Sequence, residues 1–512
     1  MLETEQIQSG WLDKLERAGN ALPHPATLFM IGALIVMLLS HLGGIFGWQV
    51  NKPLLQEGDL NYEPIHVVSL LNAEGLWWIL KNMVENFIRF PPLGLVIVGM
   101  LGIGLAEQSG LMRAMMLRGL SNLAAWLVTP AVMFVGILSS AALDAGYLVL
   151  PPVAAVLWQL MGRPPLAGIM VAFAGVSAGF SANLVITALD PLLAGFTQAG
   201  AQFLVPEYEV AVTANWWFMI ASTLVLTLVG WWVTEKIVEP RLLSQGTLDT
   251  RPASNIEITS AEQRGLRWAG GILIVVVLLL ALAIFLPAGP LYGVGSRFSR
   301  WVEAMVPITM ILFLLPSVAY GLGAGTIKSD KDVAKMMGDT LASLGPYIVL
   351  AFFASQFIAF FNYSNLGLML AIKGGEWLVA LEIPLTVLIL AFILVSATGN
   401  LLIGSASAKY AFLAPVFVPM LMQVGISPEL TQAAYRVGDS FTNVISPMNP
   451  YMVIILAFMQ RYLPRAGLGT LVAGMLPYSV VFGIVWIVMI FLWMASGLPL
   501  GPGGDLWISV SP

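Results

Sequence analysis

Charged residues lie among small polar residues in the stretch 396–451, between segments that are apolar enough to cross a lipid bilayer. They include Lys409, Arg436 and Asp439, and the residues around these three are rich in Ser, Thr, Asn, Gly and Pro. At membrane depth, polar side chains and helix-breaking residues occur where they line a cavity enclosed by protein. We therefore expect the functional site in this stretch.

The residue types in this stretch suit an organic anion and a small cation. Arg436 carries a planar guanidinium that matches a carboxylate. Hydroxyl and amide oxygens are neutral ligands that suit Na⁺, and Asp439 adds a charge or carries a proton. Where a helix breaks inside the membrane, freed carbonyls can coordinate a cation and the next helix N-terminus attracts an anion. The sequence predicts an anionic substrate and a coupling ion, Na⁺ or H⁺.

Each charged residue also has a purely structural interpretation. Arg436 and Asp439 are three positions apart, so on one helix they could neutralise each other. Lys409 could extend its ammonium to the membrane surface. Asp190 directly precedes Pro191 and could cap the start of a helix. The sequence alone leaves these alternatives open.

A similar polar segment occurs about 260 residues earlier in the chain. The segment SANLVITALDP at 181–191 aligns with SFTNVISPMNP at 440–450, so that Asn183 corresponds to Asn443. A repeat with an odd number of crossings enters the membrane upside down relative to its copy, as in many secondary transporters. We expect both segments to be broken helices at one site. Asn183 is then a candidate substrate contact, and Asn443 and Ser446 are candidate cation ligands.

Composition places the chain among polytopic membrane proteins. Hydrophobic residues make up 58% of the 512 residues and charged residues 10%, and apolar windows of about 20 residues recur. The chain has no cysteine, which removes disulfide and thiolate chemistry. A net charge of −5, spread over loops, gives no footprint for nucleic acid. The predicted fold class is an all-α polytopic membrane protein with inverted repeats.

Hydropathy divides the chain into five parts. These are an N-terminal surface segment at 1–26, a first membrane half at 27–235, a cytoplasmic linker at 236–267, a second membrane half at 268–495 and a C-terminal tail at 496–512. Each half is predicted to hold a hairpin and a broken helix, near 123–161 and 166–196 in the first half and near 378–424 and 430–458 in the second. An acidic loop is predicted at 57–63.

Basic residues predict the orientation in the membrane. The linker is basic, and Arg461 and Arg465 precede the last span, whereas the tail has no Lys or Arg. The positive-inside rule then places the N-terminus in the cytoplasm and the C-terminus in the periplasm of a bacterial inner membrane. Arg297 and Arg300 are exceptions, because they fall in a loop that this arrangement places outside.

Enzyme motifs give no alternative function. G-x-S-x-G occurs at 175–179, but a nucleophile elbow needs a strand-to-helix turn and a His partner. This motif lies in an apolar helical run, and all three histidines are far upstream. The sequence has no Walker A motif, so we expect transport to be driven by an ion gradient and to need no resident cofactor.

The central motifs resemble those of a known family. The runs GSASAKYAFLAPVFVPM at 404–420 and AYRVGDSFTNVISPMNPY at 434–451 resemble the signature of the AbgT family, the p-aminobenzoyl-glutamate transporters. The resemblance implies a homodimer with nine transmembrane helices and two re-entrant hairpins per protomer. It also implies Na⁺- or proton-coupled movement of p-aminobenzoyl-glutamate, and in some members export of p-aminobenzoate and sulfonamide antimetabolites.

The resemblance also implies site residues by motif position. It places seven residues around the substrate path: Asp190, Ser407, Tyr410, Pro428, Arg436, Asp439 and Pro447. It places Asn400 and Asp439 near a cation. The family usually has Trp where this chain has Tyr410, which keeps a ring face for stacking. On spacing alone, Tyr410 could equally be a packing residue.

These inferences lead to one hypothesis and three alternatives. The hypothesis is an ion-gradient-coupled carrier of aminobenzoyl-glutamate-like organic anions in a lipid bilayer. The first alternative is a Na⁺-coupled di- or tricarboxylate carrier of the same superfamily. A channel would need a continuous polar pore, and a membrane enzyme would form product without a gradient.

Overall fold

The computed structural model describes residues 25–56, 59–120, 123–139, 145–244, 258–296 and 298–508. The predicted surface segment at 1–26 lies outside the described residues except for its last two positions. The tip of the first hairpin, at 140–144, and the centre of the linker, at 245–257, also lie outside them.

Helices form most of the described chain. In the first half they are α1 (Pro25–Ile45), α2 (Ala73–Ile88), α3 (Pro91–Gln108), α4 (Leu111–Leu120), α5 (Ala125–Leu138), α6 (Ala145–Leu160), α7 (Pro165–Phe173), α8 (Leu189–Ala201), α9 (Trp216–Val233) and α10 (Glu239–Ser244). In the second half they are α11 (Ser260–Phe285), α12 (Arg300–Glu303), α13 (Met305–Ala324), α14 (Asp330–Ser343), α15 (Gly345–Tyr363), α16 (Leu366–Ala380), α17 (Leu385–Leu402), α18 (Ala406–Gln423), α19 (Pro428–Thr442), α20 (Met452–Gln460) and α21 (Leu468–Ser496). Two π-helical turns, Ala174–Ala178 and Thr234–Val238, follow α7 and α9.

One pair of strands interrupts this helical architecture. Strands β1 (Gln49–Gln56) and β2 (Asp59–His66) pair antiparallel, with Gln49 opposite His66 and Gln56 opposite Asp59. The sequence predicts an acidic loop at 57–63, and that prediction is wrong for residues 59–63, which belong to β2. The missed signal is the Glu57-Gly58 pair, because a two-residue connection containing Gly favours a hairpin.

Eight helical runs of the described chain are long and apolar enough to cross a membrane. They are Ala26–Ile45, Ala73–Gln108, Trp216–Ser244, Ser260–Phe285, Met305–Ala324, Gly345–Tyr363, Leu385–Leu402 and Leu468–Ser496. Many apolar side chains on them are exposed, most of all on α11. Such surfaces suit lipid rather than water. The chain is thus a multi-pass membrane protein.

Two apolar or polar stretches of the sequence are divided by local structure. The apolar stretch at 346–372 forms two helices, α15 and α16, separated at Ser364 and Asn365. Asn365 has a positive φ of 62°, a conformation that Asn tolerates better than most residues. The polar linker is shorter than 236–267, because helix continues to Ser244 and begins again at Ser260.

A single large apolar core joins the two halves. It runs from α1 to α21 and includes the fully buried Trp158 and Trp486. Within it, α8 packs against α3 and α18, and α17 packs against α19. A small second cluster joins α3 and α4 to α11 and α13. The helices that carry the polar stretches therefore lie inside the protein, and α11 lies at its edge.

The chain after α21 folds back onto both halves. The Phe218 backbone N–H donates to the Leu500 carbonyl (2.9 Å), at the start of α9. The Ser427 N–H donates to the Leu506 carbonyl (3.2 Å) at the start of α19, and the Ile508 N–H donates to the Gly425 carbonyl (3.0 Å). We define residues 497–508 as the tail clasp, because this segment bonds to the start of one helix in each half.

Close packing of α17 on α19 depends on Gly438. A Cβ atom at this position would lie 2.7 Å from Ser396 Cβ and would also meet the Ile393 carbonyl. We expect Gly438→Val to lower the free energy of unfolding by about 2 kcal/mol, because the added methyl groups overpack the contact. The measurement is thermal unfolding in detergent. The control is Gly338→Ala on α14, where a Cβ meets nothing within 4 Å and Ala raises helix stability. Equal unfolding temperatures for the two variants would contradict this account.

Candidate transport site

The first break separates α7 from α8, and side chains bond to its backbone. The Asn183 side-chain oxygen accepts from the Leu184 N–H (3.0 Å), so this predicted substrate residue is engaged within the break. The Asp190 Oδ2 atom accepts from the Thr187 N–H (2.6 Å) and hydroxyl (2.8 Å). Helix α8 begins at Leu189, so Asp190 lies in its first turn and is not the N-cap before Pro191.

The second break separates α19 from α20 and is held in a similar way. The Asn449 amide donates to the Asn443 carbonyl (3.0 Å), and its oxygen accepts from the Tyr451 N–H (3.0 Å). The Ser446 hydroxyl oxygen accepts from the Met448 N–H (3.3 Å). Pro447 lies between these residues, where it cannot donate a helical hydrogen bond. The Asn and Ser side chains satisfy backbone groups that a continuous helix would pair.

The two breaks are in direct contact. The Ser181 N–H donates to the Ser440 hydroxyl (3.2 Å). Ser177, in the π-helical turn after α7, accepts from both second-break amides: its carbonyl from Asn443 (3.4 Å) and its hydroxyl from Asn449 (3.0 Å). Ser177 is the serine of the G-x-S-x-G motif. It lies in a helical segment and links the two breaks.

Arg436 pairs with Asp190 across these breaks. Arg436 Nη2 lies 2.6 Å from Asp190 Oδ1, and the two side chains are 2% and 9% exposed. Arg436 Nε has no hydrogen-bond partner in the part of the chain that the structure describes. The alternative in which Arg436 and Asp439 neutralise each other is therefore wrong, since Arg436 pairs with the other half of the chain.

Asp439 pairs with Lys409 instead. Lys409 Nζ lies 2.5 Å from Asp439 Oδ1 and donates to Asn400 Oδ1 (2.7 Å), with both charged side chains 1% exposed. The Tyr435 hydroxyl donates to Asp439 Oδ1 (3.3 Å) and to the Ala406 carbonyl (2.5 Å). Lys409 does not extend to the membrane surface. Asp439 Oδ2 is buried, with no hydrogen-bond partner among the described residues.

Asn400 gathers the predicted cation residues around one point. The side-chain amide of Asn400 donates to the Asp439 main-chain carbonyl (2.7 Å) and to Asn443 Oδ1 (2.8 Å). The main-chain carbonyl of Asn400 accepts from the Ser446 hydroxyl (2.7 Å). The position between the side-chain oxygens of Asn400 and Asp439 is taken by the Lys409 ammonium. As arranged here, these residues do not fit Na⁺, because the metal ion would lie against another cation.

Tyr410 does not face open space. Its side chain is fully buried, its ring lies 4.2 Å from the Tyr435 ring centroid, and its hydroxyl is 2.8 Å from the Thr197 hydroxyl. Thr197 also donates to Gln432 (2.8 Å). Sequence reasoning missed Thr197 and Gln432. For Gln432 the available signal was helical spacing, since residues 432, 435, 436 and 439 share one face of α19, whereas no local pattern points to Thr197 on α8.

Two further predicted substrate residues lie apart from the charged groups. Pro428 is the first residue of α19 and lies about 16 Å along the helix axis from Asp439. The Ser407 hydroxyl lies 3.2 Å from that of Ser405, at the start of α18. Among the described residues, the hydrogen bonds and ion pairs of Lys409, Arg436 and Asp439 involve neither side chain.

A cavity of about 320 Å³ adjoins both breaks and the start of α18. Its polar wall includes Asn443 and Asn449, and its aromatic wall includes Tyr147 and Tyr451, whose rings stack at 3.9 Å and 2°. The other residues that line it are Val96, Met100, Phe180, Ala188, Leu189, Leu192, Leu344, Tyr347, Gly404, Ala406 and Pro450. Of the predicted site residues, Asn443 alone lines this cavity, and none of the four ion-paired residues is among its lining residues.

Comparisons with known proteins identify the family. Residues 10–507 match the AbgT putative transporter family. The p-aminobenzoyl-glutamate transport protein of Escherichia coli is 35% identical over 498 residues, which cover 96% of each chain. The Alcanivorax borkumensis YdaH transporter structure is 42% identical, with a TM-score of 0.89 over 94% of this chain and 100% of that chain. The Neisseria gonorrhoeae MtrF structure, described as illuminating a class of antimetabolite efflux pumps, is 44% identical, with a TM-score of 0.88 over 97% and 100%. The chain therefore belongs to the AbgT family, a family of transporters and not of enzymes.

Proposed function

We propose that this protein is an ion-gradient-coupled secondary transporter of aminobenzoyl-glutamate-like organic anions. The printed function of the Escherichia coli relative supports this substrate class. Export of p-aminobenzoate or sulfonamide antimetabolites belongs to the same proposal, on the description of MtrF as an antimetabolite efflux pump. A small aromatic acid has a ring for the tyrosine-lined cavity and a carboxylate for a buried cation.

The observation that carries this proposal is the buried guanidinium of Arg436 at the meeting point of two broken helices. Arg436 is 2.6 Å from Asp190, and its Nε donor has no hydrogen-bond partner among the described residues. A guanidinium stays charged in proteins and binds carboxylates through several parallel donors. The first turn of α8, with its positive dipole end, points to the same place. This is the chemistry expected of an organic-anion site.

The cavity supports the aromatic part of the proposal. Ala188 and Leu189, which directly precede Asp190, form part of its wall. A ring lying against Tyr147 and Tyr451 would therefore be near the Asp190–Arg436 pair. We assign the stacking role that was expected of Tyr410 to these two tyrosines, because Tyr410 is fully buried and is not among the residues that line the cavity.

We propose H⁺ rather than Na⁺ as the coupling ion. The Lys409 ammonium already occupies the position between the oxygens of Asn400 and Asp439. Asp439 Oδ2 is buried without a partner among the described residues, so it offers a free acceptor for a proton. Carboxylates at membrane depth are recurrent elements of proton relays.

The membrane arrangement is part of the same proposal. We propose nine crossings: seven of the eight long apolar runs and the two broken helices α7–α8 and α19–α20. The eighth run, α17, is one arm of a re-entrant hairpin with α18, and α5 and α6 form the other hairpin. Asn400, near the end of α17, bonds to residues of the second break, which supports a hairpin tip at membrane depth. The two halves then form inverted repeats.

We propose a homodimer in the bacterial inner membrane, with the N-terminus in the cytoplasm and the C-terminus in the periplasm. The basic residues of the linker, together with Arg461 and Arg465, support this orientation. The exposed apolar face of α11 offers surface for lipid or for a partner protomer.

The test of the anion site is flux of labelled p-aminobenzoyl-glutamate into proteoliposomes under separate Na⁺ and pH gradients. Arg436→Gln alone leaves the Asp190 carboxylate buried and unpaired, which costs about 3–5 kcal/mol. The double variant Arg436→Gln/Asp190→Asn removes both charges, so we expect it to fold. We expect its flux to fall about 100-fold, because it lacks the charged donor for the substrate.

The matched control is Arg264→Gln, because Arg264 donates to the Gly323 carbonyl away from the site. Its flux should remain near that of the wild type. Wild-type flux in the double variant would remove Arg436 from the site. Competition by succinate, without competition by p-aminobenzoate, would favour the dicarboxylate carrier instead.

The test of the cation position is stabilisation by Na⁺. In Lys409→Gln the ammonium is absent, so Asn400 and Asp439 can receive a metal ion. We expect NaCl, compared with choline chloride, to raise the unfolding temperature of this variant and not that of the wild type, because a ligand stabilises the state that binds it. The control is Lys373→Gln, which removes an exposed ion pair with Glu376. Equal Na⁺ stabilisation of the wild type and Lys409→Gln would show that Lys409 does not exclude the metal.

A further inference from the structure

Arg436 needs a negative partner at every stage of a transport cycle. Net transport includes two reorientations of the site, one with substrate bound and one without it. The guanidinium keeps its charge in both, and the side chain is 2% exposed. An uncompensated buried charge costs several kcal/mol. A substrate carboxylate can pair with Arg436 in the first reorientation, so another anion is needed in the second.

The Asp190 carboxylate is in the position of that second anion. Its Oδ1 atom lies 2.6 Å from Arg436 Nη2, where an incoming carboxylate would form its own ion pair. We propose that Asp190 is an internal substitute for the substrate carboxylate, and that it allows the substrate-free carrier to reorient. This inference rests on the proposed function. It implies that the protein carries out net transport and is not restricted to the exchange of one substrate molecule for another.

Asp190 is held so that it can release Arg436 at low cost. Its second oxygen accepts from the Thr187 N–H (2.6 Å) and hydroxyl (2.8 Å), and neither bond involves Arg436. Asp190 also lies in the first turn of α8, where the helix dipole stabilises a carboxylate. When a substrate takes Arg436, the Asp190 carboxylate therefore keeps two donors and a favourable field.

The other buried carboxylates of α19 have partners of their own among the described residues. Asp439, three residues further along the helix, is engaged by Lys409 at 2.5 Å, and Glu429, near its start, accepts from the Tyr208 hydroxyl (3.0 Å). The two buried ion pairs, Asp190–Arg436 and Asp439–Lys409, sum to zero charge when Asp190 faces Arg436. A monocarboxylate that displaces Asp190 adds one negative charge, which the Thr187 donors and the dipole of α8 help to stabilise.

Residues that line the cavity flank Asp190 in the sequence. Ala188, Leu189 and Leu192 line the cavity, and Asp190 lies between them on the same turn of α8. A carboxylate bound in the cavity would lie beside the helical turn that carries Asp190, and displacement of Asp190 from Arg436 is the step that this proposal requires.

The experiment compares two modes of flux in proteoliposomes. Net uptake is measured into vesicles without internal substrate, and exchange into vesicles preloaded with unlabelled p-aminobenzoyl-glutamate. In the wild type we expect the two rates to agree within about threefold. In Asp190→Asn we expect net uptake to fall at least tenfold while exchange falls by less than about threefold, because only the substrate-free reorientation now carries an unpaired charge.

The control is Asp332→Asn, at a capping residue in the first turn of α14, which should change neither mode. Equal loss of both modes in a folded Asp190→Asn protein would overturn the inference, since a binding or structural role predicts that result. Exchange without net uptake in the wild type would also overturn it while leaving the proposed function standing. If Asp190→Asn does not fold, the wild-type ratio decides. Absence of both modes in the wild type would reject the proposed function itself.

Discussion

The structure depends on the pairing of four charges that water hardly reaches. Arg436 and Asp439 occupy the same face of α19, yet each pairs with a different element: Arg436 with Asp190 on α8, and Asp439 with Lys409 on α18. Removing one member of such a pair leaves an uncompensated charge in a low-dielectric region, which is strongly destabilising. The two pairs therefore fix how the second broken helix lies against the first half and against the second hairpin.

The broken helices can exist in an apolar interior because their own polar side chains satisfy the interrupted backbone. Asn183 and Asp190 do so in the first break, and Asn449 and Ser446 do so in the second. Ser177 then joins the breaks through its carbonyl and its hydroxyl. The Ser and Asn residues that made these segments conspicuous in the sequence thus have a backbone role first. Few of them face the cavity.

The sequence indicates where buried charges occur more clearly than it indicates which groups they pair with. Polar residues in apolar surroundings have few interpretations in a membrane protein, so the stretch around Arg436 and Asp439 could be found directly. The partner of Arg436 is 246 residues away, and no local pattern encodes that distance. The direction of Tyr410 was equally hidden, because the choice between the cavity and Thr197 depends on how α18 packs on α8. The hairpin of β1 and β2 was missed because the acidic residues at 57–63 favoured a loop over a strand.

The tail clasp has a mechanical consequence for the whole molecule. It bonds through main-chain groups to the start of α9 and to the start of α19. Gly501 and Gly504 bring its backbone so close to residues 213–216 that no side chain would fit there. The starts of α9 and α19 cannot separate unless these main-chain hydrogen bonds break. Any rearrangement that admits a solute must therefore pivot at this point, with the largest displacement at the far ends of α9 and α19.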